Sequence, residues 1–261
     1  MGDDPNMVLT AEAAMTQQRA NYEKPPIQEA VCEIHFKLPQ PLDKAMQETM
    51  QTRWLALYPQ QNIVAERQLQ LHLTVDKMES SQKEIGHKLI TRSADGKNLA
   101  QLGPTFMAVN QLNPYRGWEE SFRDLILERF AEVQSAFSLE TIERVGLRYI
   151  NKIELPQRPA RWSEWLAVVP PVPEALREAG GDFQCIHRQT LGDSLECRIN
   201  FCTVLAPPER TAVLLDIDVF WQGEMGVGDV AAGLEKVHGP HRDLFEAYLL
   251  DKTRALFHLP A

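Results

Sequence analysis

Period-two alternation between apolar and charged side chains is what most constrains this chain, because it is the signature of strands with one buried face and one wet face. From Glu29 to Leu38, the residues Ala30, Cys32, Ile34, Phe36 and Leu38 fall on one side, with Glu33, His35 and Lys37 on the other. Leu69, Leu71, Leu73 and Val75 oppose Gln70, His72 and Thr74 in the same way. Leu195, Cys197, Ile199 and Phe201 oppose Glu196, Arg198 and Asn200, and Val213, Leu215, Ile217, Val219 and Trp221 oppose Asp216 and Asp218. Strands of this kind build antiparallel sheets.

The remaining segments place helices between the strands. Residues 1–22 read as a flexible N-terminal arm with a short helix over 11–20, and Lys24-Pro25-Pro26 forces an extended lead-in to a strand at 29–38. A helix from Asp43 to Leu57 precedes three strands near 62–76, 86–95 and 98–110, with Asp95-Gly96 closing a hairpin. A helix runs from Trp118 to about Phe137. The order then repeats: a strand at 141–155, a Trp162-Trp165 helix, a proline-rich bend at 170–173 with a short helix to Ala179, and strands at 182–190, 194–205 and 211–222. A short helix at 229–237 and a longer one opened by Pro240 finish the chain. The expected fold is therefore α+β: two pseudo-repeated β-α-β-β-β-α lobes, residues 23–137 and 138–261, forming a mainly antiparallel sheet with helices on one face.

Charge narrows the partners. A net charge of −9 and a pI near 5.3 disfavour nucleic acid and steer toward basic proteins. No apolar run approaches the ~20 residues of a membrane span, and the first 20 residues lack a secretory pattern. The four cysteines form no C-x-x-C pair, and reduced, buried thiols fit a cytoplasmic protein. No cofactor motif is present, since Gly226-Val227-Gly228 is too short for a dinucleotide fingerprint.

The candidate site residues come from the charged strand faces: Glu33, His35, Arg148, Arg198, Asp216 and Asp218. Arg148 is expected to pair with Glu196, Asp216 or Asp218, and together with Arg198 it could clamp an anion. Asn151 falls on the opposite face of the same strand. Asp216 and Asp218 project from one face about 6.5–7 Å apart, which suits a divalent metal, although a solvated strand is the favoured reading. His238 and His241 are separated by Gly239-Pro240 and so need not share a helix face.

Several segments carry a resemblance. Tyr22, Pro25-Pro26-Ile27 and Glu29-Ala30-Val31, then Asn110, Pro114-Tyr115 and Trp118, then Arg144-Val145-Gly146-Leu147-Arg148-Tyr149-Ile150-Asn151, and His238 with Phe245 resemble a sporadically distributed family of uncharacterised bacterial proteins of similar size. Leu250 stands where that pattern tends to have threonine. The resemblance implies no activity, substrate or cofactor, and its patchy occurrence hints at defence or toxin-immunity roles. The favoured reading is a non-catalytic protein-binding or immunity/defence-associated protein that uses its charged sheet face. One alternative is a small-ligand-binding protein with a cavity between sheet and long helix, Arg148 or Arg198 at its mouth. Another is a metal-dependent phosphoryl-transfer or nuclease-like enzyme at Asp216 and Asp218. A homo-oligomer is compatible with each.

Overall fold

A computed structural model describes residues 22–73, 77–158, 160–168, 172–173 and 181–258, with the backbone alone for 66–73 and 78–85. The helices expected over 11–20 and up to Ala179, and the side-chain alternation of Leu69 to Val75, lie outside these described positions. The chain forms β1 (Ile27–Lys37), α1 (Lys44–Trp54), β2 (Gln60–Leu73), β3 (Met78–Arg92), β4 (Asn98–Leu102) and β5 (Phe106–Leu112). A π-turn (Trp118–Phe122), α2 (Arg123–Ala136), β6 (Thr141–Leu155), α3 (Trp162–Trp165), β7 (Gln184–Gly192), β8 (Leu195–Val204), β9 (Thr211–Met225), α4 (Val230–Tyr248) and α5 (Asp251–Arg254) follow. All nine strands join one antiparallel sheet in the order β2-β3-β4-β5-β1-β6-β9-β8-β7.

The alternation explains the layering. Cys32, Leu147, Val219 and Cys197 are register neighbours on β1, β6, β9 and β8, and all four are buried. Each fully buried aliphatic side chain of such a layer contributes about 1.5–3 kcal/mol. Helices α2 and α4 cover this face, and α1 joins them through Trp54, whose Nε1–H donates to Glu132 of α2 at 2.6 Å. Asp43 caps α1 by accepting the Met46 amide at 2.8 Å.

Two expectations need correction. The strand expected over 98–110 is two strands, because Gly103-Pro104 makes a turn in which the Gly103 amide donates to the Phe106 carbonyl at 2.8 Å. A Cβ at Gly103 would lie 2.1 Å from the Phe106 ring, and Pro104 has no amide for a ladder. The first half thus has four strands after α1, one more than expected. Nor is the C-terminal segment split at Pro240, which sits inside the continuous helix α4. Packing overrides the proline: Gly233 lets α4 approach the sheet so closely that a Cβ there would meet Val145 Cγ2 at 3.2 Å.

Candidate functional site

The uncovered face of the sheet gathers the charged residues expected there. Arg144 and Arg148 on β6 lie between Glu33 on β1 and the two aspartates on β9. Arg144 donates to Glu33 Oε1 at 2.7 Å, approaches Asp218 Oδ2 at 3.5 Å, and its guanidinium lies 4.5 Å from the Phe220 ring centroid. Gly146 makes this possible, since a Cβ there would stand 2.8 Å from an Arg144 guanidinium nitrogen. Glu33 also meets His35 Nε2 at 2.7 Å, and His35 stacks on Phe106. Of the three partners expected for Arg148, Asp216 is the one engaged, through paired bonds of 2.7 and 2.6 Å. Arg188 takes Glu196 instead.

Burial acts on these groups in opposite ways. For Glu33 it would raise the carboxyl pKa, but His35, Arg144 and Lys88 together hold it below the ordinary value. For Asp218 burial wins over Arg144 and Arg148, so its carboxyl is raised. The bond to Asp216 raises Arg148 further despite partial burial. Arg198 lies exposed on the same face, opposite Asp218 in register, with no ion pair among the described residues. Among those residues no group of three or more His, Cys, Asp or Glu side chains is placed to hold a metal ion, and Asp216 and Asp218 each face an arginine. Arg144 was not singled out by sequence, although Arg-x-Gly-x-Arg on one strand leaves exactly one small gap between two like-facing arginines.

On the helix-covered face a cavity of about 340 Å³ opens at one end of the central β1–β6 pair. Tyr149 and Asn151 of β6 form its floor, with Ile27 of β1 beside them. The segment from Tyr115 to Glu120 and one side of α4, from His238 to Glu246, supply its walls. The lead-in from Tyr22 to Pro26 completes the lining.

Each wall is held by specific contacts. The amides of Glu23 and Lys24 donate to the carbonyls of His258 and Phe257, both at 3.0 Å, pinning the lead-in to the chain's C-terminal part. Tyr22 donates its hydroxyl to the Glu246 carboxylate at 2.9 Å, and Arg254 donates to the same carboxylate at 2.9 Å. Trp118 begins the π-turn, closed by the Phe122 amide on the Gly117 carbonyl at 3.0 Å. π-Turns of this kind are frequent at functional sites. The indole of Trp118 stacks on His238 with centroids 4.1 Å apart, and the hydroxyls of Tyr115 and Tyr149 meet at 2.9 Å.

His238 and His241, which the intervening Gly239-Pro240 left free to lie on different faces, share one face of α4 because the helix runs through. His241 is buried, and its Nε2 lies 3.0 Å from the Ile217 carbonyl oxygen. A carbonyl can only accept, so Nε2 carries the proton and Nδ1 presents a lone pair. Burial lowers the His241 pKa to about 4, against smaller raising effects of the Ile217 bond and Asp216, so the ring is neutral near pH 7. His241 Nδ1 and the Trp118 Nε1–H are both buried, and neither has a hydrogen-bond partner among the described residues.

Arg148 and Arg198 are not at the mouth, as a cavity reading of the sequence expected, because strand parity puts them on the other side of the sheet. Arg116 and Arg242 occupy the lining instead, together with the carboxylates of Glu23, Glu119, Glu120 and Glu246. The lining residues as a whole come from four separated segments, which the sheet and helix α4 bring together. The sequence matches no family model and no curated protein, and no helix among the described residues is long and apolar enough to cross a membrane.

Proposed function

We propose that this protein is a non-catalytic receptor for a small molecule held between the β1–β6 pair and α4. The observation that carries the reading is the cavity itself: an opening of about 340 Å³ lined by the rings of Tyr22, Tyr115, Trp118, Tyr149 and Phe245. Concave, mainly apolar openings of a few hundred Å³ with a few polar groups in their walls are where small molecules bind. The segments that carry the resemblance, through Tyr22, Pro25, Pro26, Ile27, Tyr115, Trp118, Tyr149, Asn151, His238 and Phe245, converge on this one cavity. That convergence supports the membership inferred from sequence and a shared binding role. Catalysis is disfavoured because a histidine titrating near 4 is a weak general base at neutral pH.

Saturation-transfer NMR with a few hundred fragments tests this reading on the protein and on Phe245→Trp, whose larger ring narrows the cavity. Hits that compete with one another and are lost in the variant support it. Hits that bind both proteins equally, or no hits, would overturn it.

A second reading, protein binding through the charged face, is favoured by Arg198. The carboxylates of that face are already paired, so the group left for a partner is a cation, and the complementary surface would be acidic rather than basic. Loss of an acidic partner from Arg198→Glu in co-purification is the expected result; unchanged recovery would count against it.

We also infer that the halves are duplicated lobes. Outward from the β1–β6 pair the sheet runs β5-β4-β3 on one side and β9-β8-β7 on the other, with β2 as an added edge strand. Each half ends in a helix laid on the same face, which supports the duplication.

A further inference from the structure

The cavity lining combines aromatic rings with carboxylates, and that combination selects the charge of an occupant, an inference that rests on the receptor reading above. The ring centroids of Tyr115 and Tyr149 lie 5.4 Å apart with the planes inclined by 54°, and those of Tyr22 and Phe245 lie 6.3 Å apart at 82°. All four residues line the cavity, and Trp118 lines it with them. Rings inclined in this way make corners rather than flat stacks, and their electron-rich faces attract ammonium groups.

The charges in the same walls have the matching sign. Glu246 is matched by Arg254, which leaves Glu23, Glu119 and Glu120 against Arg116 and Arg242. Arg116 is shared with a carboxylate outside the lining: Ser93 and the Lys97 amide, with Arg116 adding to them, hold the Asp95 carboxyl below its ordinary range. Glu120 folds its carboxylate back over Gly117, where any Cβ would collide with it. Burial raises the Tyr115 pKa, and although the Tyr149 bond and Arg242 oppose the rise, Glu120 and Glu119 add to it. Both carboxylates therefore act on a ring of the cavity wall. A phosphate or carboxylate would enter this field at a cost, and a cation would be drawn into it.

Size limits what the cation carries. A cavity of about 150 Å³ holds benzene, so about 340 Å³ has room for one ring and a short charged chain.

We propose that the occupant is an organic ammonium cation with a small apolar body, its charged head on the side of the cavity formed by Tyr115, Glu119 and Glu120.

Isothermal calorimetry on the full chain tests this with three probes of similar size: 2-phenylethylammonium, 2-phenylethanol, which is uncharged, and 3-phenylpropionate, which is an anion. The ammonium is expected to bind about ten-fold more tightly than the alcohol, and the anion more weakly than either. Glu119 and Glu120 are both exposed, so Glu119→Gln with Glu120→Gln should fold normally. That double variant should weaken the ammonium several-fold and leave the alcohol unchanged, whereas damage to the cavity itself would weaken both. Phe245→Trp should lose the ammonium and the alcohol together, which places them in the cavity rather than elsewhere on an acidic surface.

An alcohol or an anion that binds as tightly as the ammonium would overturn the assignment, and so would an ammonium affinity indifferent to the double variant or to Phe245→Trp. The receptor reading survives each of these if the fragment screen yields cavity hits. Silence from all three probes likewise overturns the assignment alone when the screen yields such hits, and removes both when the screen is silent too.

Discussion

His241 of α4 donates from Nε2 to the carbonyl oxygen of Ile217 in the middle of β9, across 3.0 Å, so a neutral imidazole fastens the longest helix to the sheet. Its folded pKa of about 4 lies below the ordinary 6.5. The unfolded chain therefore binds a proton that the folded chain refuses between those values, and stability falls as pH drops from about 6.5 to about 4. The loss is on the order of 3 kcal/mol when the window has been crossed. Urea unfolding from pH 7.5 to 4 should show this slope, and His241→Gln should flatten it; an unchanged slope in the variant would place the titration elsewhere.

Gly146 is the gap that lets the Arg144 guanidinium lie over Phe220 and reach Glu33. Gly146→Val should displace it and cost about 1–3 kcal/mol through overpacking and a broken polar network. Chemical denaturation at pH 7 measures this. A loss within ~0.5 kcal/mol would mean that Arg144 finds an equivalent seat.

Arg148 and Arg198 separate a structural from a spare arginine on one face. Arg148→Ala leaves Asp216, only 7% exposed, without its paired donor, and should cost about 1–3 kcal/mol. Arg198→Ala should stay within ~0.5 kcal/mol. For the same reason Asp216→Asn costs more than a change at an exposed strand position. Equal losses for the two arginines would contradict this division.

Much of the sheet was legible from alternation, because strands buried on one face and wet on the other write their register into the chain. Parity alone separated Arg148 from Asn151 and put Glu33, Asp216 and Asp218 on one side. Breaks were harder. Gly103-Pro104 sits inside a run that still reads as one strand, and Pro240 reads as a helix start until the packing of Gly233 on Val145 is known. The cavity was the least legible part. Tyr22, Trp118, Tyr149 and His241 carry no sign of a shared site where they stand in sequence. Their common purpose depends on contacts more than a hundred residues apart, such as that of Tyr22 with Glu246.

Phe122 stands behind the cavity, fully buried and in ring contact with Tyr115, Trp118 and Tyr149. Phe122→Ala should cost about 3–5 kcal/mol, and a thermal melt would register it as a large drop in Tm. Fragment binding should weaken in parallel as the three rings lose their support. A variant that loses stability yet keeps its fragment affinity would detach the cavity from this packing.

The indole N–H signal of Trp118 in a ¹H–¹⁵N spectrum reports on the cavity most directly, because this residue lines the cavity and a bound molecule would change the magnetic environment of its ring. The chain has five tryptophans, and comparison with Trp118→Phe identifies the signal. When the tightest fragment is added, the Trp118 resonance should move further than those of Trp54, Trp162, Trp165 and Trp221. A bound fragment that leaves Trp118 unmoved would contradict the account.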